Sequence, residues 1–381
     1  MRHLHFTQSL EPLYGGGLGT STVALHREML AMGLSSMVCA TYGEKPQAPA
    51  PRVHEFRRIK PDALYLALGL RAKAGGFVAA ADVIHGHGFY VGTNYFFGSQ
   101  ARRQGKPLVY HAHGFFEPWI LNRSRSKKRL VHWLFEDDNF RAVRFWRALT
   151  SKEAEQIRAL GMRAPIVVIP NGLNLEDYAM TSSKDAPVET PWLGPLEKES
   201  RRVLFLGRIH PKKGLKLLLA AWGKLKAERE GWELVIAGPD EQGHLAVVLE
   251  QVRSLGLENE VRFTGPVTGS AKVALLHSAD LFVLTSYSEG FSISLLEAMA
   301  SGVAVVATRA CNFPQITSSA AGWECDATSE SVSRVLSAAL LSDPIELRQR
   351  GESGRHLVET DYSWSAIVNL LQEACVTHCS R

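Results

Sequence analysis

Two doubly wound α/β domains, each built on a parallel sheet, are predicted by two features of this 381-residue chain. Short apolar strand candidates alternate with helical stretches through both halves, and such alternation is the pattern of a parallel sheet with helices on its faces. Between the halves, residues 179–200 hold three prolines, a Ser-Ser pair and several charges without a period of their own, which reads as a linker. The length suits two domains of ordinary size: an N-terminal one over residues 1–180, a linker at 181–200 and a C-terminal one over 201–360.

In the first half, residues 4–9 read as a strand, Gly15 to Gly19 as a glycine-rich loop, 21–32 as a helix and 36–41 as a second strand. Residues 82–85, 107–111, 148–150 and 166–169 follow as short strands. The second half repeats the scheme, with strands at 203–206, 233–237, 261–263, 281–284 and 303–307 and helices that include 215–230 and 245–255. Residues 363–375 form an amphipathic helix candidate. In open sheets of this kind ligands sit beyond the carboxyl ends of the strands, so two such domains facing one another would enclose a cleft.

Composition narrows the class. A hydrophobic share of 45% with 21% charged residues is that of a soluble globular protein. No run of about 18 apolar residues could span a bilayer, and the polar opening Met1-Arg2-His3-Leu4-His5 is not a secretory signal, so the expected location is the cytoplasm. Five cysteines without a CxxC pair argue against a disulfide framework or a zinc site. The net charge of +5 divides into +9 over residues 1–180 and −4 over 181–381. A basic half could meet nucleic acid, anionic lipid or a phosphorylated acceptor, and no nucleic-acid-reading motif accompanies it.

The most informative segment is Ser-Glu-Gly-Phe-Ser-Ile-Ser-Leu-Leu-Glu-Ala-Met-Ala-Ser-Gly, residues 288–302. Ile293, Leu296 and Ala300 fall at helical spacing, so a helix begins near Ser292 or Ser294 and ends at Gly302. Its first turn exposes unpaired N–H groups, and the small residues Gly290, Ser292 and Ser294 let a diphosphate approach them. Glu289 precedes that turn and Glu297 lies beyond it, so one carboxylate can accept sugar hydroxyls and the other ribose hydroxyls. Isolated glutamates are usually solvated; the flanking turn sets these two apart.

This segment resembles the Glu-x7-Glu signature of the retaining glycosyltransferases of family four, and the resemblance extends over nearly the whole chain. It implies the GT-B fold, two facing Rossmann-like domains with the donor site in the cleft, and a C-terminal helix, 361–381, that packs back on the first domain. Gly207-Arg208-Ile209-His210-Pro211-Lys212-Lys213-Gly214 is similar to the family's GR-x4-KG pattern, whose Arg and Lys bind the donor diphosphate; a loop with two cations has the charge to offset that of a leaving diphosphate. The donor contacts implied are Arg208, Lys213, Glu289, Gly290, Phe291, Ser292, Ile293 and Glu297. The loop Gly15-Gly16-Gly17-Leu18-Gly19 could offer backbone N–H groups to a phosphate, and by resemblance Gly16, Gly17 and Gly19 close over the donor.

Tyr110-His111-Ala112-His113-Gly114-Phe115 ends a strand; the resemblance places His113 at the donor sugar near the reaction centre. Two histidines suggest a metal, but no third ligand stands at a recognisable spacing and no Asp-x-Asp occurs, so no metal and no cofactor are expected, only a nucleoside-diphosphate sugar as co-substrate. The expected catalytic set is His113, Arg208, Lys213 and Glu289. Pro170-Asn171-Gly172 resembles the family's PNG-x-D element with Asn174 at the usual Asp, and Thr150 before Ser151 reads as a helix cap.

The resemblance further implies retaining transfer of a hexose by front-face attack, the leaving phosphate taking the acceptor's proton. Residues 263–269, the loop against which the base lies in similar proteins, contain no carboxylate to read guanine, so GDP and UDP both stay open. The run from His113 to Trp119 resembles bacterial exopolysaccharide and O-antigen transferases, which implies a polyprenyl-diphosphate-linked saccharide acceptor. Arg123, Arg125, Lys127, Lys128 and Arg129 beside Leu130, Val131, Trp133, Leu134 and Phe135, and Arg57, Arg58 and Lys60 beside residues 64–70, have the pattern of a peripheral contact with an anionic membrane face; an apolar helix side turned to the core is the alternative. A sugar-nucleotide epimerase of the same fold and a non-catalytic nucleotide-sugar-binding protein are the rival functions.

Overall fold

Seven parallel strands form the first sheet and six the second, in a computed structural model that describes residues 1–47, 50–60, 64–116, 136–179 and 200–380, without the side chains of residues 12–16. The chain divides into two units, Met1–Gly172 with Trp364–Arg381, and Leu173–Ser363. Residues 173–179, expected in the first domain, thus belong with the second.

In the first unit the order along the chain is β1 (Arg2–Ser9), α1 (Pro12–Ala31), β2 (Ser35–Tyr42), β3 (Val53–Arg57), α2 (Leu68–Ala80), β4 (Val83–His87), α3 (Gly92–Arg103), β5 (Leu108–His111), α4 (Asp137–Ala142), β6 (Val143–Ala148), α5 (Ser151–Ala159) and β7 (Ile166–Val168). The strands pair as β3-β2-β1-β4-β5-β6-β7, so the winding reverses between β1 and β4. Sequence periodicity misses β3 because it is an edge strand, half-buried and interrupted by Glu55 and Arg57. The closing helix, α13 (Trp364–Cys379), lies in this unit: Trp364, Ile367, Val368, Leu371 and Cys375 pack with Leu25, Met29, Val109 and Phe145. Each large apolar side chain fully buried there contributes roughly 1.5–3 kcal/mol.

One expectation fails here. Gly15 to Gly19 are not a loop: α1 already begins at Pro12, so Gly16, Gly17 and Gly19 lie within the helix. Proline at the first turn has the helical φ in advance and loses no needed N–H. Glycine costs about 1 kcal/mol relative to alanine in a helix, but at position 19 a Cβ would stand 3.0 Å from the Ser9 carbonyl oxygen, so the missing side chain lets the helix approach the end of β1.

The second unit runs β8 (Arg201–Leu206), α6 (Leu215–Lys224), β9 (Trp232–Ala237), α7 (His244–Ser254), β10 (Val261–Gly265), α8 (Gly269–His277), β11 (Leu281–Leu284), α9 (Ile293–Ala300), β12 (Ala304–Thr308), α10 (Gln315–Ser318), β13 (Gly322–Cys325), α11 (Ser329–Leu340) and α12 (Pro344–Asp361). Its strand order, β10-β9-β8-β11-β12-β13, reverses between β8 and β11. The loops leaving those two strands therefore flank the crevice where such sheets take ligands. No described helix is long and apolar enough to cross a membrane.

Candidate active site

At the reversal point of the second sheet, the loop after β8 is tied to the loop after β11. Gly214 stands at φ +66°, and a Cβ there would come 1.9 Å from the Thr285 carbonyl oxygen. The Thr285 hydroxyl donates to the Gly214 carbonyl at 2.9 Å, and Tyr287 N–H donates to the Lys212 carbonyl at 2.8 Å. This stitching brings Lys213 Nζ to 2.7 Å from Glu289 Oε1, which also accepts from the Ser286 hydroxyl at 2.5 Å. The Glu289 backbone is fixed in turn, its N–H to the Ala310 carbonyl and its carbonyl to Asn312 Nδ2. Both charged side chains are largely buried, so their attraction is screened less than that of a surface pair.

Arg208 shares the loop with Lys213 but stands apart from it. Its guanidinium is mostly exposed and pairs with Glu241, 2.8 Å away, not with the Lys213 cluster. Exposed pairs of this kind are worth about 0–1 kcal/mol, so Arg208 can exchange Glu241 for an anionic ligand at little cost.

The helix start is where the sequence puts it: α9 opens at Ile293 with Ser292 as its cap residue, and the Ser292 side chain makes no capping hydrogen bond. The N–H groups of the first turn are thus not taken by that hydroxyl, which lies 3.3 Å from Ser294 Oγ. Phe291 packs near Phe313 and Tyr362, and Ile293 lies against the core, so these two offer backbone to a ligand. Glu297, buried on α9, accepts from the Tyr178 hydroxyl at 2.8 Å and from Lys272 Nζ at 2.6 Å. Burial and the Glu297 carboxylate push the Tyr178 phenol well up, so it remains a donor. Neither Tyr178 nor Lys272 is signalled by the sequence, since each stands far from Glu297 along the chain.

In the first unit, His113 and Gly114 follow β5 with φ of +50° and +79°. The turn is held by Glu153, whose carboxylate accepts from the N–H of Gly114 and, at 2.6 Å, of Leu149. Thr150 caps α5 as expected, its hydroxyl accepting from Glu153 N–H at 3.2 Å. His113 Nε2 lies 2.9 Å from His87 Nδ1, and burial with the nearby Arg147 charge pushes the His113 imidazole down to about 3, so it is neutral at physiological pH. His87 is the third histidine that sequence spacing did not find, although His3-x-His5, His85-x-His87 and His111-x-His113 repeat a pattern that puts both rings on one strand face.

Ligand-type atoms of His87, His111 and His113 lie within 4.8 Å of one another, as do those of His3, His85 and Cys375. In the first group both His87 nitrogens are already paired and His111 Nδ1 faces the Arg147 guanidinium at 3.1 Å, a position hostile to a second cation. In the second, His3 and His85 are paired with each other at 2.9 Å. Of the basic-apolar patches, the one at 123–135 lies outside the described residues, as do Trp119 and most of the linker. In the other, Arg58 is buried against Glu11 at 2.5 Å and Leu70 is in the core, which leaves Arg57, Lys60, Leu64 and Leu68 at the surface or near it.

Residues 15–177 match the family described as Glycosyltransferase Family 4, and residues 191–357 match Glycosyl transferases group 1. This chain belongs to glycosyltransferase family 4. Among curated proteins, this family 4 chain is 24% identical to a glycogen synthase of Mycobacterium tuberculosis over 96% of its own length and 92% of the relative's. It is 39% identical to the phosphatidyl-myo-inositol mannosyltransferase of Mycolicibacterium smegmatis over 40% of its length and 36% of that protein. A Xanthomonas campestris GDP-mannose:cellobiosyl-diphosphopolyprenol alpha-mannosyltransferase is 27% identical over 60% of this chain and 56% of its own. The fold is that of Anabaena HepE, solved with UDP and glucose, at a TM-score of 0.75 and 20% identity over 99% of this chain and 100% of that one. WaaG, a glycosyltransferase of lipopolysaccharide biosynthesis, gives a TM-score of 0.71 at 19% identity, with 99% of each chain covered. Both sheets and these neighbours identify the GT-B fold.

Proposed function

We propose that this glycosyltransferase moves a hexose from a GDP- or UDP-sugar to a saccharide carried on a lipid diphosphate, with retention at the anomeric carbon, in the assembly of a bacterial surface polysaccharide. The observation that carries the donor reading is the Lys213–Glu289 pair beside the open first turn of α9. A cation, a carboxylate and unpaired N–H groups at one reversal point suit a ligand with a diphosphate and sugar hydroxyls. Lys213, Arg208 and the α9 N–H groups neutralise the diphosphate without a metal, Glu289 holds the hexose, Glu297 holds the ribose, and His113 serves the transferred sugar. In the reaction the bond between the anomeric carbon and the phosphate oxygen breaks while the acceptor oxygen bonds to the same face, and the acceptor proton passes to the leaving phosphate.

The phosphatidyl-myo-inositol mannosyltransferase of Mycolicibacterium smegmatis and the cellobiosyl-diphosphopolyprenol mannosyltransferase of Xanthomonas support a lipid-linked acceptor. The GDP-mannose used by the Xanthomonas relative supports GDP, and the Anabaena complex supports UDP. Action at the inner face of the membrane from the cytoplasmic side fits such an acceptor. A thermal-shift and hydrolysis screen over GDP- and UDP-hexoses tests the donor, because a ligand that binds the folded state raises its melting temperature. A null result over the whole panel would overturn the donor reading.

A further inference from the structure

Six histidines cross the first sheet in two files on the face covered by α1 and α13. In one, His3 Nδ1 meets His85 Nε2 at 2.9 Å, His85 Nδ1 meets His111 Nε2 at 3.0 Å, and Arg147 Nη1 stands 3.1 Å from His111 Nδ1. In the other, His5 Nδ1 meets His87 Nε2 at 3.0 Å and His87 Nδ1 meets His113 Nε2 at 2.9 Å. The rings of the two files stack on one another, His5 on His85 at 4.5 Å and His87 on His111 at 4.1 Å between centroids. Burial holds all six imidazoles neutral.

A neutral imidazole has one donor and one acceptor, so each file points one way. Arginine only donates, which fixes the first: His111, His85 and His3 all carry their proton on Nε2, and the Gln372 amide, 2.9 Å from His3 Nε2, must turn its oxygen toward it. The second file has no arginine, but its inner end decides it. His5 Nε2 is buried with no hydrogen-bond partner. If the file ran inward, that atom would be an orphaned N–H; if it runs toward His113, the atom is an unused lone pair, the less rare defect in protein interiors. Running toward His113 also sets the stacked files antiparallel, which is the favourable arrangement of neighbouring dipoles. The Arg147 charge is offset locally by the Ile169 and Pro170 carbonyls and by Glu153.

We propose that His87 is a positioning residue: its Nδ1–H occupies His113 Nε2, so that His113 is held as the Nδ1–H tautomer and presents that N–H as a donor to an oxygen of the bound sugar. The last clause rests on the assignment of His113 to the transferred sugar; the tautomer does not.

Long-range proton–nitrogen correlation spectra of the full chain labelled with ¹⁵N-histidine, near pH 7.5, read each ring directly. His5, His87 and His113 are expected as Nδ1–H, and His3, His85 and His111 as Nε2–H. His87→Leu removes the donor, so His113 should revert toward the Nε2–H form that free imidazole side chains favour, with kcat falling about 10-fold or more. His87→Asn, whose amide can donate from the place of Nδ1–H, should restore both the His113 tautomer and most of the turnover. An Nε2–H tautomer at His113 in the unaltered protein overturns the proposal even if His87→Leu does not fold. The expected tautomers together with full turnover in His113→Ala would instead overturn the assignment to the sugar.

Discussion

Lys213 Nζ and Glu289 Oε1 are 2.7 Å apart at the reversal point of the second sheet, so each of these groups holds the other in place without a ligand. A donor diphosphate would draw Lys213 from the carboxylate and leave Glu289 with acceptor capacity for sugar hydroxyls. Lys213→Ala is therefore expected to lower kcat/KM by about 10²-fold or more, as loss of a group that stabilises developing charge does. Arg208→Ala should act in the same direction and, since the Arg208 guanidinium is mostly exposed, with little loss of thermal stability. Near-normal turnover in Lys213→Ala would sink the assignment.

Glu289 and Glu297 are separated by their partners as well as by the helix start. Glu297 sits between Tyr178 and Lys272, where a ribose would find a carboxylate already oriented. Glu297→Ala should weaken both the free nucleoside diphosphate and the sugar nucleotide, whereas Glu289→Ala should leave nucleoside diphosphate affinity nearly unchanged and cut turnover. Calorimetry with both ligands on both variants separates the roles. Equal loss of nucleoside diphosphate binding would make Glu289 a support of its loop, with no sugar anchor left.

Gly214 tests the scaffold beneath these residues. Its left-handed backbone alone costs a non-glycine residue on the order of 1–2 kcal/mol, and the Cβ would also meet the Thr285 carbonyl oxygen at 1.9 Å. Gly214→Ala should lower the melting temperature of the second unit and weaken nucleoside diphosphate binding, because it displaces Thr285, whose hydroxyl ties the Lys213 loop to the end of β11 through the Gly214 carbonyl. Unchanged melting and affinity would show that the loop does not depend on this contact.

What the sequence discloses follows the range of the interactions. The alternation of apolar strands and helices is local, and so is the start of α9, which small residues and helix formers specify within one turn. Edge strands β3 and β13 escape because half of each faces outward and the alternation is diluted by charge or by Gly322, which is there because a Cβ would strike the Val305 carbonyl. The glycines at 15–19 suggest a loop on propensity, and contact between Gly19 and Ser9 overrides it. Tyr178, Lys272, Glu153 and His87 reach the site residues through tertiary contacts that no spacing encodes, although the three His-x-His repeats already put paired rings on strands.

If Lys213, Arg208 and backbone N–H groups neutralise the diphosphate as proposed, in a chain with no Asp-x-Asp, catalysis is expected to survive chelation. Turnover measured in EDTA should match that in buffer alone. Activity abolished by EDTA and restored by Mg²⁺ or Mn²⁺ would refute this.

The six-histidine array makes the first unit sensitive to acid. Each of these imidazoles has its pKa lowered in the folded state, His3 to about 4 and His113 to about 3, against about 6.5 in the unfolded chain. Below pH 6.5 the unfolded chain therefore binds protons that the folded one refuses, and stability falls by about 1.4 kcal/mol per pH unit for each ring. Glu136 works against this: buried among Tyr90, Asn94 and Asn139, its carboxyl is pushed up to about 7, so its own contribution is full below about pH 4.5 and is lost as pH rises toward 7. Six rings outweigh one carboxyl between those limits. The melting temperature of the first unit is expected to drop steeply from pH 7.5 to 5.5, with unfolding at pH 5.5 taking up several protons, to which His26 and His54 add because their pKa values are lowered too, read by calorimetry in buffers of different ionisation enthalpy. Since domains are stable by only about 5–15 kcal/mol, the unit should not survive to pH 4.5. A melting temperature that stays flat across this range would mean that the histidines are not held neutral in the folded state, and the polarity of both files would fail with it.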